Sequence, residues 1–193
     1  MIQRSLVLLK SDAVQRGIAG EILHRFERAG LKIIGAKLIT ADPEVVKKHY
    51  KKDADWHKKV GGLSLKDCEA YDLSAADLFG TEDAEEIGRI INGWLYTMFE
   101  IGPVFAFVLE GPGAVGKIRE LVGTTYPDKA QPGTIRGDFG LDSVFSSMKR
   151  KRAVLNLIHA SGTPEEAEDE IKMWFKGNEL MDYKRIHEDL YSY

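Results

Sequence analysis

The stretch Gly102-Pro103-Val104-Phe105-Ala106-Phe107-Val108-Leu109-Glu110-Gly111-Pro112-Gly113 decides the fold. Val104 to Leu109 is an unbroken apolar run between two sets of backbone breakers, and it is the strongest strand signal in the chain. Downstream, Gly111-Pro112-Gly113 turns into a helix carrying Val115, Ile118 and Val122, which Gly123 closes. Upstream, Gly102-Pro103 ends a helix that Thr81 caps and whose apolar stripe is Ile87, Ile90, Ile91, Trp94, Leu95 and Met98.

Further out, Ser5 to Leu9 reads as a short buried strand and Leu31 to Ile39 as another. Between them lies one helix, opened by a capping box of Asp12 with Gln15, striped by Val14, Ile18, Ile22, Leu23, Phe26 and Ala29, and stopped by Gly30. Asp42-Pro43 starts a short helix by the cap-plus-proline rule. The segment Lys51 to Gly80 is polar, contains Gly61-Gly62 and shows weak periodicity. Thr124 to Lys151 reads as a long loop, the kind that usually carries function. Ala153 to Ile158 reads as the last strand, and Thr163-Pro164-Glu165-Glu166 opens a helix anchored by Ile171, Trp174 and Phe175. The tail, Asn178 to Tyr193, is amphipathic and expected to pack on the domain surface or on a neighbouring subunit. The order implies an α+β, ferredoxin-like βαββαβ plan: a four-stranded antiparallel sheet with helices packed on it, in one domain over residues 1–193.

At 193 residues, 44% hydrophobic and 30% charged, the composition is that of a soluble globular protein. A net charge of -3 argues against a dedicated polyanion binder, so no nucleic-acid or membrane partner is expected. The basic run Lys149 to Arg152 reads as a solvated loop. One cysteine, Cys68, allows neither an internal disulfide nor a cysteine zinc site. The opening residues lack a leader pattern and no apolar stretch spans a bilayer, so a cytoplasmic location is the default.

Two phosphate-handling motifs compete. Gly111 to Ile118 nearly matches a P-loop, but Ile118 has no hydroxyl for magnesium and Pro112 removes a backbone N–H that a phosphate nest needs. The other is Asn156-Leu157-Ile158-His159-Ala160-Ser161. A neutral imidazole is a good nucleophile toward phosphorus, and a covalent step divides a hard transfer between anions into two easier ones. A strand-end histidine alone is more often hydrogen-bonded structure. The upstream loop, Gln131 to Phe139, holds Arg136 among glycines and prolines, which suits bidentate phosphate binding, and Arg119 lies just before that loop. Pairing of Arg136 with Asp138, and of Arg119 with Glu120 or solvent, is the alternative.

The run Pro-Gly-Thr-Ile-Arg-Gly-Asp-Phe at 132–139, and Asn156 to Ser161 around His159, resemble the nucleoside diphosphate kinase family. So do Lys10 to Gly17 with Gly20-Glu21-Ile22, His49-Tyr50, and Trp174-Phe175. The resemblance implies a ping-pong enzyme that moves a terminal phosphate between nucleoside tri- and diphosphates through a phosphohistidine at His159. It implies that Lys10 and Tyr50 sit against that phosphate, that Arg119, Thr125 and Arg136 bind the nucleotide phosphates, and that Asn156 and Lys10 contact the ribose. Ser161 and Glu170 would support the histidine from behind. The cofactor implied is Mg2+, carried by the nucleotide phosphates with no direct protein ligand. A homo-oligomer follows too, with the hexamer the family's commonest state and tetramers and dimers also known.

Some features depart from the family pattern. Ser11 replaces the usual proline, and Ala160-Ser161-Gly162 replaces Gly-Ser-Asp. A helical insertion is expected at about 51–99, where the family places the helices that cover the base, and a second near 141–150 within an extended loop of about 124–153. Trp56 is the candidate for stacking on the base, against packing in the insertion's own core. Low base selectivity is expected, since stacking and ribose contacts ignore base identity. The rival class is a nucleotide-sensing module without turnover.

Overall fold

The computed structural model describes residues 1–186. Its sheet has the strands β1 (Ile2–Leu9), β2 (Lys32–Ile39), β3 (Val104–Pro112) and β4 (Ile158–Ala160), in the order β2-β3-β1-β4, with every neighbouring pair antiparallel. The helices are α1 (Ser11–Gln15), α2 (Ala19–Arg28), α3 (Pro43–His49), α4 (Ala54–Ala70), α5 (Ala75–Phe79), α6 (Ala84–Thr97), α7 (Ala114–Val122), α8 (Ile135–Phe139), α9 (Val144–Lys149) and α10 (Pro164–Trp174). This is the expected ferredoxin-like α+β plan with the two βαβ halves interleaved.

The period of two along the central strands explains why they read as continuous apolar runs. Leu6, Leu8, Val104, Ala106 and Val108 face one core with Val46, Met98, Ile171 and Trp174. Val7, Leu9, Phe107 and Leu109 face the other, with Ile22, Phe26, Ile118 and Ile135. Both faces of the sheet are covered, so neither alternate residue needs to be polar.

Several boundaries differ from the sequence reading. The single helix expected over 12–29 is two, because Gly17 takes a left-handed φ of 69° between them. Asp12 is no cap: its Oδ2 accepts from the Leu157 N–H at 3.0 Å, and Gln15 donates to the Ile101 carbonyl. Thr81 is displaced as the cap of α6 by Asp83, which accepts from Glu86. The final strand is not 153–158 but Ile158–Ala160. Leu157, at φ 69°, turns the chain just before it, and its carbonyl accepts from the Lys10 N–H at 2.8 Å. The stretch 124–151 is not one loop but contains α8 and α9. Of the basic run, Lys149 to Lys151 are exposed, whereas Arg152 makes a two-pronged pair with Asp142 at 2.6 and 3.2 Å.

The segment 51–80 is largely the helix α4, packed against α6 at close range. A Cβ on Gly61 would stand 1.7 Å from the Ala84 carbonyl oxygen, and one on Gly88 2.1 Å from that of His57. Of the Gly61-Gly62 pair, Gly61 is a helix-crossing device, whereas a Cβ on Gly62 would meet nothing within 4 Å. These helices share a third core, Cys68, Ala75, Phe79 and Ile87, with Val144 and Met148 of α9. Tyr71 and Phe145 add an edge contact with centroids 5.3 Å apart.

Of the tail, 178–186 runs along β2: Met181 donates to the Ile34 carbonyl and the Tyr183 hydroxyl to that of Ile33. Residues 187–193 lie outside the described residues. No helix among the described residues is long and apolar enough to cross a membrane.

Candidate active site

The register of β4 on β1 pairs His159 with Leu8 and leaves the imidazole at the edge of a cleft of about 550 Å³. Lys10, Tyr50, Trp56, Arg119, Thr125, Arg136, Asn156 and His159 all line that cleft. Sequence positions spread from 10 to 159 thus converge because β1, α3, α7 and β4 end around one opening. The His159 side chain is 17% exposed, enough for one ring edge to meet a ligand.

The other edge is held from behind. His159 Nε2 lies 3.0 Å from the Glu170 carboxylate, to which the Ser161 hydroxyl donates at 2.6 Å. Ser161 itself is buried and accepts from the Leu6 N–H. A carboxylate in contact with Nε2 fixes that nitrogen as the N–H donor and leaves Nδ1 with its lone pair. Burial first, then the charge of Lys10, lowers the His159 pKa to about 3, so the ring is neutral at any ordinary pH. Burial raises the Glu170 pKa, against the pull of His49 and the Ser161 hydrogen bond.

His49 completes this group and was named in the sequence only as part of a motif. Its ring is 4.4 Å from that of His159 between centroids, its Nδ1 accepts from the Trp174 indole at 3.2 Å, and its Nε2 faces Glu170 at 3.5 Å. His49, His159 and Glu170 bring ligand atoms within 4.8 Å of one another. Two nitrogens and one carboxylate are a poor set for magnesium, which takes oxygen ligands. Asp67 and Glu166 are the carboxylates on the cleft wall, and Glu166 accepts from the Gly162 N–H.

Lys10 is buried, and its Nζ donates to Asn156 Oδ1 at 2.6 Å. Burial, reinforced by Arg136, lowers its pKa to about 7, with Asp12 opposing. The Asn156 amide donates in turn to the Thr125 carbonyl at 2.9 Å, so Thr125 holds Asn156 as well as lining the cleft. Arg136 spends four donor contacts on the carbonyls of Gly123, Thr124, Asn156 and Ile158. It clamps together three segments of the cleft rim and keeps at most one of its five N–H groups for a ligand. Asp138, its suggested partner, pairs with Arg25 at 2.7 Å instead. Arg119 has no hydrogen-bond or ion-pair partner among the described residues, Glu120 included.

Trp56 stands on the cleft wall and takes no part in the insertion's core. The insertion does reach the cleft through Val60, Ser64, Ile91 and Trp94, and α9 through Val144 and Ser147. Lys117, essential to the P-loop reading, donates to the Ala29 carbonyl on the surface, away from the cleft. Sequence reasoning missed Lys52, a cleft lysine, because a Lys-Lys pair in a polar stretch looks like solvated surface. It also missed the long-range hydrogen bond of Asp12 to the Leu157 N–H, because Asp12 with Gln15 has the spacing of a capping box.

A family model described as nucleoside diphosphate kinase matches residues 3–59 and 84–180, leaving 60–83, inside the expected helical insertion, unmatched. The nucleoside diphosphate kinase of Pyrobaculum aerophilum is 42% identical over 181 residues, covering 94% of this chain and 99% of that protein. That of Borreliella burgdorferi is 36% identical over 188 residues, 97% of this chain and 96% of its own. Among solved structures, an NDP kinase from Pyrobaculum aerophilum superposes with a TM-score of 0.89 at 41% identity, over 94% of this chain and all (100%) of that one. A transition-state mimic of the nucleoside-diphosphate kinase from Borrelia burgdorferi, with bound vanadate and ADP, gives 0.75 at 35% identity, covering 97% and 95%.

Proposed function

The chain belongs to the nucleoside diphosphate kinase family, and from that premise we infer that it is a phosphotransferase that passes the terminal phosphate of a nucleoside triphosphate to a nucleoside diphosphate through His159. The observation that carries this reading is the divided imidazole: Nε2 is engaged by the buried Glu170 carboxylate, 7% exposed, while the rest of the ring borders a cleft rich in cations.

The substrate is a nucleoside triphosphate with Mg2+ carried on its phosphates. His159 Nδ1 attacks the terminal phosphorus. The N–P bond forms as the P–O bond to the neighbouring phosphate breaks, and that oxygen keeps the electron pair and leaves with the diphosphate. The ring becomes cationic, and the carboxylate of Glu170 at Nε2 offsets the new charge. A second diphosphate attacks the phosphohistidine in reverse. The chain's work is positioning and charge, since phosphoryl transfer needs little else.

Arg119, Thr125 and Arg136 hold the nucleotide phosphates in this reading, with Arg136 acting chiefly as a fixed charge. Lys10 and Asn156, already hydrogen-bonded to each other, bind the ribose hydroxyls. Lys10 and Tyr50 border the transferred phosphate, and Trp56 stacks on the base. Because stacking and ribose contacts ignore base identity, selectivity among bases is low. The location that goes with this reading is the cytoplasm, and the assembly is a homo-oligomer, with the hexamer favoured over tetramer or dimer. Sedimentation of the purified protein checks that assignment.

The direct test is turnover of ATP with dGDP in the presence of magnesium. Wild type is expected to produce dGTP and the His159→Ala variant none; dGTP formation by the variant would sink the assignment.

A further inference from the structure

The cleft's positive charge is unevenly available. Arg136 is committed to four carbonyl contacts, Arg152 to Asp142, and Lys10 to Asn156 with its pKa drawn down to about 7. Two cleft cations have no oxygen partner among the described residues: Arg119 on α7, and Lys52 between α3 and α4. Lys52 is held only by rings, its Nζ 5.9 Å from the Tyr50 centroid and 5.8 Å from that of Trp56. Cation–π contacts of that length, near the limit of about 6 Å, are weak at a partly open site. They park an ammonium between the residue beside the histidine and the candidate stacking residue without neutralising it. Lys52 lines the same cleft as His159, and the Tyr50 ring it rests on lies 6.1 Å from the His159 ring between centroids.

We propose that Lys52 is a catalytic residue: it leaves the Tyr50 and Trp56 rings to bind the terminal phosphate and stays on that group while it moves from the nucleotide to His159. This rests on the reading of His159 as the phosphate acceptor. The step breaks the P–O bond to the leaving diphosphate and makes the N–P bond, and no proton leaves Lys52. Its ammonium meets the negative charge on the equatorial oxygens, where a fixed positive group lowers the barrier. An ammonium on a flexible stem suits this task, since it can follow a group that shifts between two bonded partners.

The experiment compares wild type with Lys52→Met, which keeps the apolar stem against both rings, and with Lys52→Arg. Single-turnover phosphorylation of the chain by magnesium ATP is read together with equilibrium binding of ADP. Lys52→Met is expected to slow phosphorylation by at least about tenfold. Its ADP affinity should stay within about twofold of wild type, because ADP lacks the group Lys52 holds. Lys52→Arg should recover most of the rate, and the wild-type rate should fall more steeply with ionic strength than that of Lys52→Met. A wild-type rate in Lys52→Met, or equal losses in rate and in ADP affinity that Lys52→Arg fails to restore, would overturn the proposal. Failure of the wild type itself to accept phosphate would instead remove the His159 reading on which it stands.

Discussion

At His159 the two ring nitrogens do different things, and Glu170 is what separates them. The carboxylate holds Nε2 at 3.0 Å while the Ser161 hydroxyl holds the carboxylate. Glu170→Gln keeps the shape and an acceptor oxygen but removes the charge that answers a cationic ring. Phosphorylation of the chain is therefore expected to slow by about tenfold to a thousandfold with nucleotide affinity little changed, as stopped-flow and equilibrium binding would report. At Lys10 the pH dependence has a definite sign. Its pKa in the folded protein is about 7, below the ordinary lysine value, because burial disfavours the charged form. Phosphate favours the charged form, so nucleotide binding between about pH 7 and 10 should draw in a proton. Calorimetry of the binding of a non-hydrolysable nucleoside triphosphate analogue in buffers of different ionisation enthalpy measures that uptake. A Lys10→Met variant should show less of it.

At the scale of elements, α4 and α6 depend on two glycines, Gly61 and Gly88, that let them cross at close range. Gly88→Ala forces a methyl group against the His57 carbonyl, a contact of 2.1 Å with backbone that must move. The variant is expected to lose about 2 kcal/mol or more of stability by chemical denaturation, whereas Gly62→Ala, with nothing within 4 Å, should be neutral or stabilising. The strands were legible because an apolar run with turn residues at both ends has few other readings. The helices with a proline at their start, α3 and α10, were legible for the same kind of local reason: Thr163 accepts from Glu166 and Asp42 from Glu44 as their spacing implies. What stayed hidden is long-range. Nothing local says that Gly61 meets Ala84, that Asp12 will cap Leu157 rather than its own helix, or that Arg152 will leave its basic run for Asp142. The candidate site was legible through linear motifs. Lys52 carries no motif, and only the fold brings it beside Tyr50 and Trp56.

For the whole molecule, the cleft lies where the sheet, α7 and the inserted helices meet, so stability and chemistry share groups. His49 and His159 are both drawn down to about pKa 3 by burial, well below the unfolded value near 6.5. The unfolded chain therefore binds protons at these sites between about pH 6.5 and 3 that the folded chain does not. Their contribution to stability is complete above pH 6.5 and is lost as the pH falls through that window. Thermal unfolding followed from pH 8 to 4 should show the melting temperature dropping below about pH 6.5, less steeply in His49→Gln than in wild type.

The proposed chemistry requires Nδ1 of His159 to be the atom that takes the phosphate. Phosphorylation of the protein with magnesium ATP in the absence of any acceptor, followed by 31P and 15N NMR under alkaline conditions, identifies the atom directly. One acid-labile phosphate per chain on His159 Nδ1 is the predicted result. Phosphate on Nε2, on a serine or carboxylate, or on the chain of a His159→Ala variant would contradict it.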